Sequence, residues 1–277
     1  MIKKPIGILD AGLEGLPVFN ELVKRFPNNS FIYLSDFTNY PYEEKDSKEI
    51  LQYINKNTNE LLLKGIGSII VLGNSMIEYS EDLYNHLGIP TIKINDLIIN
   101  YVNDNYEHKN MLFLAKSYII KSAMYNKNFK YNRLYNAPSE QLDELILNKE
   151  VKTAKSFNKM AEVLKPGMGK DIDVIVYVDA YLANLKIELK EYLPHTPIID
   201  LVKLIIDSVE KGCEIYDKKK ETSYVYCRLD ENEFKEKSYY LDCKYKYVKM
   251  DNLVLKDDKE ELEKLKRKAL KMDNKQL

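Results

Sequence analysis

Along the first half of the chain, short continuous apolar runs alternate with stretches in which apolar residues return every three to four positions. That alternation predicts βα units around a parallel sheet. Residues 6–9 read as a first strand, and residues 16–26, with Val18, Phe19, Leu22 and Val23 on one face, as a helix. Residues 31–34 form a second strand. Residues 47–63 form a long helix with Ser47 as N-cap and Gly65 closing it. Residues 68–72 are a third strand, and residues 91–94, after the break at Gly88 and Pro90, a fourth.

The pattern then restarts. Strands are predicted at 111–115, 172–178 and 198–199, a helix at 118–125, a mostly helical span at 138–164, and another helix after residue 199. Two successive sets of βα units predict an α/β protein of two similar lobes, with mainly parallel sheets flanked by helices and a cleft between the lobes. Residues 1–97 and 208–255, which include strand-like stretches at 222–227 and 245–250, are assigned to the first lobe and 98–207 to the second. Residues 256–277 are assigned to a charged terminal helix, with Glu260 to Lys264 and Glu263 to Arg267 at i,i+4 spacing.

Composition narrows the function classes. The 277 residues carry 42 Lys+Arg against 43 Asp+Glu, so no global basic field points to nucleic acid. No apolar run approaches the roughly 20 residues of a bilayer helix, and MIKKPIGILDAG reaches Gly, Asp and Gly too early for a signal peptide. No membrane partner and a cytoplasmic location are expected. Cys213, Cys227 and Cys243, separated by 13 and 15 residues, fit no zinc module, and the three histidines are scattered. No metal site is predicted.

In parallel sheets ligands bind outside the carboxyl ends of the strands, so chemistry belongs in the loops after them. Those loops read DAGLEG at 10–15, Asp36 then Tyr40-Pro41-Tyr42, Gly73-Asn74-Ser75, and Asp179-Ala180-Tyr181. In this order and spacing the chain resembles glutamate racemase, of the aspartate/glutamate racemase superfamily, over nearly its full length. The family's DSGxGG corresponds to residues 10–15, its GD and PYG to Ser35-Asp36 and Pro41-Tyr42-Glu43, and its ACNT to residues 72–75. Its KS pair is Lys121-Ser122, and its GCTHYP falls on residues 177–182.

The resemblance implies a cofactor-independent isomerase in which one cysteine thiolate removes an α-proton and a thiol on the opposite face returns one. Those two positions are Gly73 and Val178 here, and the histidine beside the second thiol is Ala180. The first-loop serine is Ala11 and the threonine beside the second thiol is Asp179. Asp10 is retained, and Ala11, Pro41, Tyr42, Asn74, Ser75, Asp179 and Lys116 stand as ligand-binding candidates. Glu14 and Glu43 replace small residues, so a dianionic glutamate would face Asp10, Glu14, Asp36, Glu43 and Asp179. The expectation is a pseudoenzyme with a small-molecule ligand or a protein partner at its cleft, and a homodimer by analogy with the family. Two enzymatic readings stand beside it: an altered acid/base enzyme using Asp10, Asp179 or Lys116, and a working bacterial racemase supplying D-glutamate for peptidoglycan.

Each residue also has a purely structural reading. Asp10 could cap the helix that follows it, and Asn74 and Ser75 the helix after the third strand. Pro41 and Tyr42 could form a rigid turn, and Lys116 could neutralise the added acids through a salt bridge.

Overall fold

The computed structural model describes residues 3–253; the predicted terminal helix at 256–277 and the side chain of Glu43 lie outside the described residues. Five βα units open the chain: β1 (Ile6–Asp10), α1 (Leu16–Arg25), β2 (Phe31–Ser35), α2 (Ser47–Leu62), β3 (Ser68–Val71), α3 (Asn74–Asn85), β4 (Thr91–Lys93), α4 (Ile94–Tyr106), β5 (Lys109–Ala115) and α5 (Ser117–Ser122). Next come β6 (Tyr131–Pro138), α6 (Glu140–Leu147), α7 (Ala154–Leu164), β7 (Val174–Tyr177), α8 (Lys186–Tyr192) and α9 (Leu201–Gly212). The described chain closes with β8 (Tyr224–Cys227), α10 (Glu231–Lys237) and β9 (Lys246–Lys249).

These strands form two sheets, one of six strands in the order β4-β3-β1-β2-β8-β9 and one of three in the order β6-β5-β7, with every pairing parallel. β1, β2, β3 and β7 are buried along their whole length, as parallel strands covered by helices on both faces must be. The fold class is therefore α/β with parallel sheets flanked by helices. The topology also fixes where a ligand can sit. Strand order reverses between β1 and β3 in the first sheet and between β5 and β7 in the second, and crevices open at such reversals.

Several local readings change. The N-cap of α2 is Asp46, whose carboxylate accepts the Lys48 amide at 2.9 Å, and Ser47 is the first helical residue. The fourth strand stops at Lys93 and Ile94 already begins α4. Residues 198–199 contribute one bridge, from Ile198 to Ile175, rather than a strand. β6 has no counterpart in the pattern reading, because Tyr-Asn-Arg-Leu-Tyr-Asn-Ala-Pro forms a half-exposed sheet edge with no apolar run.

Candidate functional site

Four loops leave the two strand-order reversals: those after β1 and β3 in one sheet and those after β5 and β7 in the other. Asp10, the last residue of β1, is fully buried. Its carboxylate accepts the amides of Gly12 at 3.3 Å and Gly15 at 2.6 Å and the Tyr33 hydroxyl at 2.5 Å. Gly15, not Asp10, is the N-cap of α1, so Asp10 organises the loop before the helix rather than capping it. Glycine is needed at 15, since a Cβ there would meet Leu72 and lie 3.0 Å from Asp10 Oδ2. Burial, reinforced by Glu14, pushes the Asp10 carboxyl up to about 6 against the pull of Tyr33 and the two amides.

Glu14 and Lys116 meet across the cleft. The Lys116 ammonium, 2% exposed, pairs with Glu14 and with Asp143 of α6 at 2.9 Å, and contacts the Tyr40 hydroxyl. Tyr40 in turn donates to Glu14 at 2.8 Å and places its ring centroid 4.6 Å from the ammonium. Burial opposes the charge on Lys116, but Glu14, Asp143 and Asp179 together hold its pKa above the ordinary value. It is an ammonium, and the salt-bridge reading describes its contacts. Burial and Glu14 raise the Asp143 carboxyl to about 6 although Lys116 pulls it down.

A second set of bonds joins the sheets through Asn74. Its amide nitrogen donates to the Val178 carbonyl at 3.1 Å and to Asp179 Oδ1 at 3.0 Å, while its oxygen accepts the Tyr125 hydroxyl at 2.5 Å. Neither Asn74 nor Ser75 caps α3: the N-cap is Gly73 and no side chain serves it. Asp179 is 2% exposed, and burial with Glu14 holds its carboxyl well above the usual range despite Lys116. Its Oδ2 has no hydrogen-bond partner. Ala11, Gly73, Ser75, Val178 and Ala180 are buried beside these groups. A Cβ at Gly73 would sit 3.1 Å from the Ala11 amide nitrogen and 3.2 Å from Met76 Cγ.

Asp36, expected among the cleft acids, is engaged elsewhere. It is fully buried and binds Arg228 at 3.1 Å, Asn57 at 2.8 Å, Asn39 at 2.8 Å and the Tyr42 hydroxyl at 2.5 Å. Arg228 also reaches Glu60 at 3.2 Å. Tyr42 thus anchors the turn after Pro41 to the protein interior, in keeping with the rigid-turn reading. Asp143, Tyr33 and Tyr125 belong to the site but went unnoticed, because each stands on a different element and no spacing links them to the loops; Tyr40 was read in its loop but not singled out as a candidate. Only Tyr40 carried a signal, as the neighbour of Pro41-Tyr42.

Of the cysteines, Cys227 comes within electrostatic reach of Tyr33 at the edge of this cluster. Cys227 ends β8 in register with Ser35, two strands and so about 10 Å of backbone from β1. Its thiol is buried and pushed up by that burial. The Cys243 thiol is raised to about 11 by burial and Asp242. Among the described residues no group of His, Cys, Asp or Glu is arranged to hold a metal ion, and no helix is long and apolar enough to cross a membrane.

No protein-family model matches the chain. In sequence it is 34% identical to the glutamate racemase of Oceanobacillus iheyensis over 92 residues, 33% of this chain and 34% of the relative. It is 40% identical to that of Campylobacter curvus over 70 residues, 25% of this chain and 26% of the relative. These matches span about a third or less of the curated relatives' length. In structure it superimposes on a glutamate racemase from Bacillus anthracis with a TM-score of 0.77 at 20% identity, covering 91% of this chain and 99% of the other. The Francisella tularensis glutamate racemase, solved with D-glutamate, gives 0.78 at 18% identity over 90% and 98%. An aspartate racemase from Picrophilus torridus gives 0.58 at 14% identity over 75% and 93%. The fold is that of glutamate racemases, and the resemblance drawn from the loops holds.

Proposed function

We propose that the chain is a glutamate-racemase-like pseudoenzyme, unable to carry out two-thiol proton exchange, with a ligand-sensing or protein-binding role at its cleft. One observation carries this reading: the two positions that the resemblance assigns to thiols are Gly73 and Val178, a hydrogen and an isopropyl group, neither of which can hold a proton. The surroundings support it. Lys116, Glu14, Tyr40 and Asp143 bridge the lobes with their own ion pairs and hydrogen bonds, and Asn74 fastens Val178 and Asp179 to the opposite sheet. Each carboxylate of an incoming glutamate that came within about 5 Å of one of these acids would be repelled by about 3 kcal/mol at an effective dielectric near 20. A cytoplasmic setting and a homodimer come with the resemblance and stay part of the proposal.

A second reading, an altered acid/base enzyme, is favoured by the raised carboxyls of Asp10 and Asp179, one from each lobe. Lys116 takes no part in it as a base, because its ion pairs keep it protonated. Expression in a bacterial strain that requires D-glutamate tests the main reading. No rescue is expected, and no change in the optical activity of either glutamate enantiomer with purified protein. Rescue would restore the role of D-glutamate supplier.

A further inference from the structure

The cleft holds more buried acids than bases. Glu14 of the first loop and Asp143 of α6 pair with Lys116, Asp179 after β7 lies within reach of its charge, and Asp10 lies within reach of Glu14. Arg228, the other buried cation near these loops, is taken up by Asp36 and Glu60. Every acid but one has both oxygens in use or a charged partner. Asp179 is the exception: its Oδ1 accepts from Asn74, while its Oδ2 is buried and accepts from nothing. A buried carboxylate oxygen without a donor costs free energy that an incoming donor recovers.

We propose that this cleft binds a small organic ammonium ion, of the class of basic amino acids and diamines, with Asp179 Oδ2 as its principal acceptor. An ammonium group carries three donors and one positive charge, which matches a vacant acceptor among carboxylates. The acids are not arranged as metal ligands among the described residues, which favours a hydrogen-bonding cation over a metal ion. The proposal rests on reading the cleft as a binding site rather than a racemising one.

Binding is coupled to protons. The groups facing Asp179 are Glu14 from the first loop, Lys116 at the start of α5, Asp143 from α6 and Asn74 from α3, with Tyr125 behind Asn74. Burial and Glu14 hold the Asp179 carboxyl well above the usual range in the empty cleft, and an arriving ammonium lowers it, so binding is accompanied by proton release and affinity rises with pH.

Isothermal titration of the full chain with putrescine, L-lysine and L-ornithine, in two buffers of different ionisation enthalpy at pH about 6 and about 8, tests this. At least one of the three is expected to bind, more tightly at the higher pH, with a buffer-dependent heat from proton release. Asp179→Asn is expected to weaken that binding by about tenfold, the loss of one charged hydrogen bond. The proposal is overturned if none of the three binds at millimolar concentration, or if Asp179→Asn leaves binding unchanged. Should that variant fail to fold, binding by the unaltered protein without proton release overturns it equally. Failure of all three ammonium ions leaves the thiol-less reading intact, and racemisation of glutamate removes that reading whatever the titration gives.

Discussion

Lys116→Met removes the cation that holds the inter-lobe cluster together while keeping a side chain of similar length. The lysine is 2% exposed and its ammonium contacts Glu14, Asp143 and the Tyr40 hydroxyl. Taking one partner from a buried ion pair strands the other, at a cost of about 3–5 kcal/mol. The cost has a definite pH dependence. Lys116 now pulls the Asp143 carboxyl down, against burial and Glu14, to about 6; without it, Asp143 rises further above the unfolded value. A carboxyl whose folded pKa is raised contributes stability below its unfolded pKa and loses it as pH rises through the folded pKa. The variant is therefore expected to lose about 3–5 kcal/mol near pH 8 and about 1 kcal/mol near pH 5, where the acids are protonated. Equilibrium urea unfolding of both proteins at the two pH values reads this, with Glu14→Gln added to Lys116→Met expected to regain part of the loss at pH 8. A loss below about 1 kcal/mol at pH 8, or the same loss at both, refutes the cluster as a buried, charged device.

Three further outcomes are expected. Arg228→Met leaves Asp36 and Glu60 without their guanidinium and costs about 3–5 kcal/mol, and adding Asp36→Asn recovers more than about 1 kcal/mol of it in a urea double-mutant cycle. Asp10, raised from 3.8 to about 6, contributes stability below pH 3.8 that is lost as pH rises through 6; Asp10→Asn, which cannot ionise, gains on the unaltered protein across that interval. A stability difference between the two that is flat in pH contradicts the shift. Gly73→Cys with Val178→Cys is expected to fold with a loss of about 1–3 kcal/mol from crowding against the Ala11 amide and Met76, and to show no racemisation, because the acids around Lys116 still repel a dianionic glutamate. Recovery of racemase activity by these two changes alone would show that the acids are no obstacle.

The fold was legible wherever the sheet is covered on both faces. β1, β2, β3, β5 and β7 are short runs of Ile, Val, Leu and Phe bounded by Gly, Pro, Asn or Asp, and parallel strands need that composition. β6 escaped because an edge strand has one open side and tolerates Asn and Arg. α10 escaped because Phe234 is its one buried residue, too little for a periodic signal. In the site, the loops could be read because each follows a legible strand. Their partners could not, since Asp143 on α6 and Tyr125 beyond α5 reach the cleft only through the packing of separate elements. Asp36 marks the converse case: its position after β2 suggested a cleft acid, and Arg228, 192 residues away in sequence, claims it for the interior.

The central claim is that no group in this protein can strip and return the α-proton of glutamate. Proton magnetic resonance in deuterium oxide follows that proton directly, with D- and L-glutamate incubated separately at neutral pD and near-stoichiometric protein. The account predicts that both α-proton signals keep full intensity for as long as the protein stays folded. Loss of either signal, faster than in a protein-free control, contradicts it.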